Sequence, residues 1–87
     1  MAFLPVMTTI NYQKTLKFEI ARELINGRIA ELSELIGIEE KKPLPDMTLI
    51  GQLEDQMLLI AEERGELDVT NEAALDASIA KNGRPPP

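Results

Sequence analysis

Apolar residues recur every three or four positions along the first half of the chain. Between residues 18 and 36 they step by three, four, four, three and four, which is the period of one face of an α-helix. A second apolar row, which includes Ile20, Leu24 and Leu35, lies beside the first. Two adjacent rows make a face wider than a solvent-exposed helix needs. We therefore predict a long helix over residues 10–36 that other helices cover. Its first row consists of Phe18, Ala21, Ile25, Ile29, Leu32 and Ile36.

A second helix is predicted over residues 48–64. Gly37 is typical of the position that ends a helix, and the proline-containing stretch 38–48 should be an extended connection. Asp46 or Thr48 then provides a side-chain cap for the second helix. This helix carries its own apolar row at steps of three, four and three, formed by Ile50, Leu53, Met57 and Ile60.

A third, shorter helix is predicted over residues 70–82, with Thr70 as its N-cap and Asn82-Gly83 as its end. Pro5 should keep residues 1–9 out of the first helix, as a flexible arm. Residues 83–87, which end in three prolines, should be a disordered tail. Residues 10–82 would then form a single domain, as the length of 87 residues allows.

The composition favours an all-α fold and excludes several kinds of site. Twelve Leu and nine Ile stand against two Val and two Phe, a bias toward helix over sheet. The chain has no Cys and no His. Disulfides, Cys/His zinc sites, iron–sulfur clusters, cysteine nucleophiles and histidine bases are therefore excluded.

The predicted architecture is a helical hairpin with a long first helix and a short C-terminal helix, associated as a dimeric helical bundle. A helix over residues 10–36 would be about 40 Å long, whereas the second helix would reach only about 24 Å. The shorter helices cannot cover both apolar rows, so we expect a second copy of the chain to do so. The apolar rows of the first and second helices are the predicted self-association residues. The alternative is a monomeric three-helix fold in which the long helix breaks near Gly27.

The charge is concentrated in one part of the chain. The formal net charge is −6, yet residues 31–80 hold thirteen acidic residues against three basic ones. Such a segment suits a partner with a basic surface. We predict a small acidic protein–protein interaction module, of inhibitory, antitoxin-like or regulatory character. Its predicted acidic surface consists of Glu62, Glu63, Glu66 and Asp68.

Two other roles are less consistent with the sequence. A structural or adaptor subunit would use the exposed apolar face to dock on a different chain. A nucleic-acid-binding protein would have to use the basic flank of the first helix, where acidic Glu19 and Glu23 interleave. The basic residues of that flank are Lys14, Lys17, Arg22 and Arg28.

No catalytic residue, metal site or cofactor is predicted. Adjacent carboxylates such as Glu62 and Glu63 point about 100° apart on a helix, so they do not converge on one metal. Glu19 and Glu23 share a face, but carboxylate-bridged metal sites usually include His. The chain has no run of about 18 apolar residues that could cross a membrane. Its opening residues lack the features of a signal peptide, so we expect a cytoplasmic protein.

Overall fold

The structure is a computed structural model that describes the backbone of residues 4–83 and the side chains of residues 12–83. In this part of the chain it contains three α-helices and no β-strand. Helix α1 spans Leu4–Glu40, α2 spans Met47–Gly65 and α3 spans Glu72–Asn82. The predicted all-α class is confirmed.

Helix α1 is longer at both ends than predicted. It begins at Leu4, so residues 4–9 are helical and do not form the expected arm. Pro5 is compatible with this start because an N–H in the first turn has no partner within the helix anyway. Gly37 does not end the helix either. No glycine among the described residues has a positive φ, and α1 continues to Glu40.

Helices α2 and α3 lie close to their predicted positions. Asp46 caps α2, and its Oδ1 accepts a hydrogen bond from Leu49 N at 3.1 Å. The predicted cap of α3 is wrong: Asn71, and not Thr70, accepts a hydrogen bond from Ala74 N at 3.1 Å. The backbone N–H and the hydroxyl of Thr70 instead donate hydrogen bonds to Asp68 Oδ1. Gly83 is the C-cap of α3, and the rest of the predicted tail lies outside the described residues.

The chain divides into two compact units. Unit 1 combines α1 up to Leu24 with the chain from Leu67 onward, and unit 2 is the continuous segment Ile25–Glu66. Helix α1 therefore contributes its first part to unit 1 and its second part to unit 2. That residues 10–82 form a single domain stays a prediction.

In unit 1, α3 runs in the same direction as the first part of α1. Near its start, Glu72 and Asp76 bind Lys17 Nζ at 3.1 and 3.0 Å. These two carboxylates, Asp76 foremost, raise the pKa of Lys17 above its ordinary value. At its end, Gly83 lies against Leu24.

The core of unit 1 is small and partly polar. Ala21 and Leu75 are completely buried, and Ser78 and Asn82 are buried beside them. Asn82 Nδ2 donates to Ser78 O at 3.0 Å, which satisfies a polar group that would otherwise be costly to bury.

In unit 2, α2 runs antiparallel to the second part of α1. Ile25, Leu32, Ile50 and Leu53 are buried and form its core. The connection between the helices is fixed by Glu39, whose side chain is only 8% exposed. Its carboxylate accepts hydrogen bonds from Lys42 Nζ and from Asp46 N, both at 2.9 Å. These donors, Lys42 foremost, lower the pKa of Glu39 below its ordinary value.

None of the helices described for residues 4–83 combines the length and the apolar character that crossing a membrane requires.

Candidate binding groove

Unit 2 contains an open groove between α1 and α2, with a volume of about 570 Å³. Ile29, Ser33 and Ile36 come from one face of α1, at steps of four and three. The opposite wall is formed by α2. Its apolar part consists of Met57, Leu58 and Ala61, and three charged residues of the same helix form the rest. Leu58 is 64% exposed, so a large apolar side chain stands open at the groove.

The two ends of the groove carry opposite charges. Glu54 and Asp55 lie toward the start of α2, and Arg64 lies in its last turn. Arg64 Nη1 donates a hydrogen bond to Asn26 Oδ1 at 2.7 Å, which ties the end of α2 to α1. The guanidinium has further N–H donors that this bond does not use. The groove can therefore bind an apolar surface flanked by both signs of charge.

The predicted self-association residues are divided between core and groove. Ala21 is buried in unit 1, and four others form the core of unit 2. Ile29, Ile36 and Met57 are half-buried and line the groove. Phe18 and Ile60 are also half-buried, and Arg22 lies over the Phe18 ring with Cζ 5.9 Å from its centroid. The single chain thus covers part of the two apolar rows by itself.

The predicted acidic surface is also divided. Glu62, Glu63 and Glu66 belong to unit 2, and Asp68 belongs to unit 1. Glu62 and Glu66 are exposed one turn apart, while Glu63 is half-buried. Asp68 Oδ1 accepts hydrogen bonds from Thr70 Oγ1 at 2.7 Å and Thr70 N at 2.9 Å. These bonds lower the pKa of Asp68 and give this residue a structural role in the turn before α3.

Sequence reasoning missed the groove because it grouped Met57, which lines the groove, with Ile50 and Leu53, which are buried in the core. A second row of residues on α2, spaced by three, four, three and four positions, could have indicated the groove. It comprises Gly51, Glu54, Leu58, Ala61 and Gly65, all half-buried or exposed. Ser33 and Arg64 carried no comparable signal, because their place in the groove depends on how α2 packs against α1.

All of the formal net charge resides in unit 2. Ile25–Glu66 holds ten acidic and four basic residues, a balance of −6 that equals that of the whole chain. The groove therefore lies in the strongly acidic part of the protein, and long-range attraction favours partners of opposite charge.

The basic flank of α1 is partly neutralised. Lys17 is held by two carboxylates, and Arg22 forms an ion pair with Glu19 one turn earlier. Phosphate binding depends on clustered cations that are available to the ligand. These pairs therefore weaken the case for nucleic acid at this face.

Among the residues the structure describes, no three acidic side chains come together in an arrangement that could hold a metal ion. Comparison of the chain with protein-family models, curated proteins and solved structures gave no match.

Proposed function

We propose that the chain is a non-catalytic protein-binding module that acts through the groove of unit 2 and the acidic surface near it. The observation that carries the proposal is the open groove with exposed Leu58 between charged ends. Exposed apolar residues rimmed by polar ones are typical of protein-interaction surfaces. The net charge of unit 2 would accelerate the approach of a partner with a basic face.

The proposal separates the roles of the apolar and the acidic residues. Leu58, Met57 and Ile36 would supply the contact area, because burying apolar surface is the main source of affinity. Glu62 and Glu66 would act mainly on the association rate, because exposed charges steer encounters and contribute little once bound. Asp68 is left out of this surface because it holds the turn before α3.

The experiment begins with the full chain as bait in native extract and identification of the captured protein. Association rates are then compared for the wild type and for Glu62→Lys combined with Glu66→Lys. We expect association to slow by about tenfold at low salt, with the difference shrinking as ionic strength rises. The matched control is Glu31→Lys with Glu34→Lys, two exposed acids of unit 2 on α1.

If the two pairs of reversals slow association equally, only net charge matters and the acidic surface is not a specific site. If neither pair has an effect and Leu58→Glu leaves capture intact, the proposed module is wrong.

A second role, as an adaptor subunit, is favoured by one observation on unit 1. Tyr12, Leu16 and Ile20 follow one face of α1 at steps of four and are 61%, 42% and 40% exposed. Such a row can dock on another chain. Loss of capture on Leu16→Glu, with capture retained on Leu58→Glu, would favour this role over the groove.

A further inference from the structure

The walls of the groove favour a helical occupant over an extended one. Both walls belong to α-helices, whose backbone N–H and C=O groups are used within the helices, so the groove offers side chains only. An extended segment buried there would leave its own backbone groups without partners, whereas a helix pairs them internally. The lining residues of α1 repeat at steps of four and three, and so do Glu54, Leu58 and Ala61 of α2. This is the spacing at which a helix lies along a groove.

The groove has room for large apolar side chains. Ser33 lies between Ile29 and Ile36 along α1, and Ala61 follows Leu58 along α2. A small residue next to larger ones forms a hole into which a side chain of a packed helix inserts. An occupant with Leu or Ile at steps of three and four would therefore bury apolar area against Leu58, which is 64% exposed in the single chain.

The charges of α2 are divided between its two sides. Arg64 is bonded to Asn26 and therefore marks the side of α2 that faces α1. Asp55 precedes Arg64 by nine positions, about two and a half helical turns, so it lies on the opposite side, at the outer edge of the groove. Glu62 follows Asp55 by about two turns and Glu66 by about three, so all three carboxylates share this edge. They are exposed, and none of them forms an ion pair with another of the described residues.

We propose that the occupant of the groove is an amphipathic helix of a different protein, with Leu or Ile facing the groove and Lys or Arg along the flank over Asp55, Glu62 and Glu66. Charge complementarity selects this occupant, because the ten acidic and four basic residues of unit 2 sum to −6. An acidic residue of the occupant fits only on the side toward α1, where the unused N–H donors of Arg64 lie. The inference rests on the proposed function, because it takes the groove as a protein-binding surface and gives the chemistry of the partner.

The first test measures the binding of three synthetic peptides to the full chain by fluorescence anisotropy, each of about 18 residues, or about 27 Å as a helix. The first peptide has Leu on one helical face and Lys on the flank. The second replaces Lys by Glu, and the third has the composition of the first in an order without an amphipathic face. The first should bind at least about tenfold more tightly than the other two and gain helical circular dichroism on binding. Equal binding of the Lys and Glu peptides overturns the basic partner, and equal binding of the two Lys peptides overturns the helix.

A pair of substitutions on α2 tests whether the amphipathic Lys peptide lies in the groove. Leu58→Gln should weaken its binding by about tenfold, because the change removes apolar contact area without changing the charge. The matched control is Leu59→Gln, which changes a leucine that is 65% exposed and does not line the groove. Equal effects of the two substitutions would overturn the groove as the binding site of the peptide.

A second pair of variants tests the outer edge. Asp55→Asn with Glu62→Gln should raise the dissociation constant of the same peptide about fivefold at low salt, because two exposed ion pairs are lost. Glu31→Gln with Glu34→Gln removes the same charge from exposed positions on α1. This control should have a smaller effect, because it reduces only the long-range attraction. Equal effects of the two pairs would show that net charge alone acts, and would overturn the assignment of the basic flank to this edge.

The outcomes separate this inference from the function on which it rests. If the amphipathic Lys peptide does not bind at about 1 mM and Leu58→Gln abolishes capture from native extract, the basic helix is overturned and the binding groove is kept. If the chain alone forms a dimer in light scattering and Leu58→Gln dissociates it, a second copy occupies the groove and the inference is overturned. If the peptide does not bind and capture is insensitive to Leu58→Gln, both are overturned.

Discussion

At the scale of single residues, Glu39 joins the end of α1 to the connection that leads into α2. It is an acidic residue in a buried position, and a lysine and a backbone N–H satisfy its carboxylate. A buried carboxylate without such partners would be strongly destabilising. Glu39 therefore determines how the chain turns from α1 into α2, which in turn sets the position of the groove walls.

Replacing Glu39 should make stability depend less on pH. Because the pKa of Glu39 is lowered in the folded state, its contribution is present above the unfolded pKa and is lost as pH falls through the folded pKa. Glu39→Gln should therefore lower the melting temperature at pH 7, and the two melting temperatures should converge as pH falls through the lowered pKa of Glu39. Thermal melts from pH 3 to 8 measure this, with exposed Glu40→Gln as the control. A constant difference across that range would contradict the ionic role.

Two glycines should respond in opposite ways to the same substitution. Gly27 lies inside α1 with no atom within 4 Å of an added Cβ, so Gly27→Ala should stabilise the protein by about 1 kcal/mol. At Gly83 an added Cβ would lie 2.8 Å from Ile79 O and 3.3 Å from Leu24 Cδ1. Gly83→Ala should therefore destabilise unit 1. Urea unfolding of both variants provides the measurement, and equal effects of the same sign would contradict these local environments.

At the scale of helices, the sequence predicted a helix end correctly where that end depends only on residues close by in the chain. The N-cap of α2 was limited to Asp46 or Thr48, and α2 begins one residue earlier than expected. The ends of α1 could not be read in this way. Pro5 is compatible with a helix because it lies in the first turn. Gly37 is compatible with a helix because its φ is not positive. At α3, both Thr70 and Asn71 are residue types that can act as the N-cap. Because Thr70 donates a hydrogen bond to Asp68, Asn71 takes this role.

The same limit applies to the candidate site. Apolar spacing identified Ile29, Ile36 and Met57 as part of a contact surface, but it could not separate them from Ile25 and Leu32. That separation depends on the rotation of α2 about its own axis as it packs on α1. The period of three and four is shared by rows that face inward and rows that face the groove. Only the packed pair of helices distinguishes them.

At the scale of the whole molecule, the two units have different cores. Unit 2 buries four large aliphatic residues, whereas the core of unit 1 contains Ala21, Leu75 and two polar residues. The apolar area removed from water sets most of the stability that a core can supply. Unit 1 should therefore open at lower free energy than unit 2.

Hydrogen exchange on two core variants should locate the loss of stability. Leu75→Ala and Leu53→Ala each remove a buried leucine, which costs about 2–5 kcal/mol. Leu75→Ala should accelerate amide exchange in residues 72–82 and much less in residues 47–65. Leu53→Ala should accelerate exchange in residues 47–65. Equal acceleration throughout the chain in both variants would show that the two units open together, which would contradict the expected lower opening free energy of unit 1.

The division of α1 between the units also has a consequence for the order of folding. Unit 2 is one continuous stretch of sequence, and its contacts join residues such as Asn26 and Arg64, 38 positions apart. Unit 1 must bring Lys17 and Glu72 together across 55 positions, so it closes a larger loop. During synthesis, every residue of unit 2 is added to the chain before α3 is translated. Until then, α3 cannot cover Ala21 and its neighbours on α1. Unit 1 can therefore form only after the C-terminal part of the chain has been made.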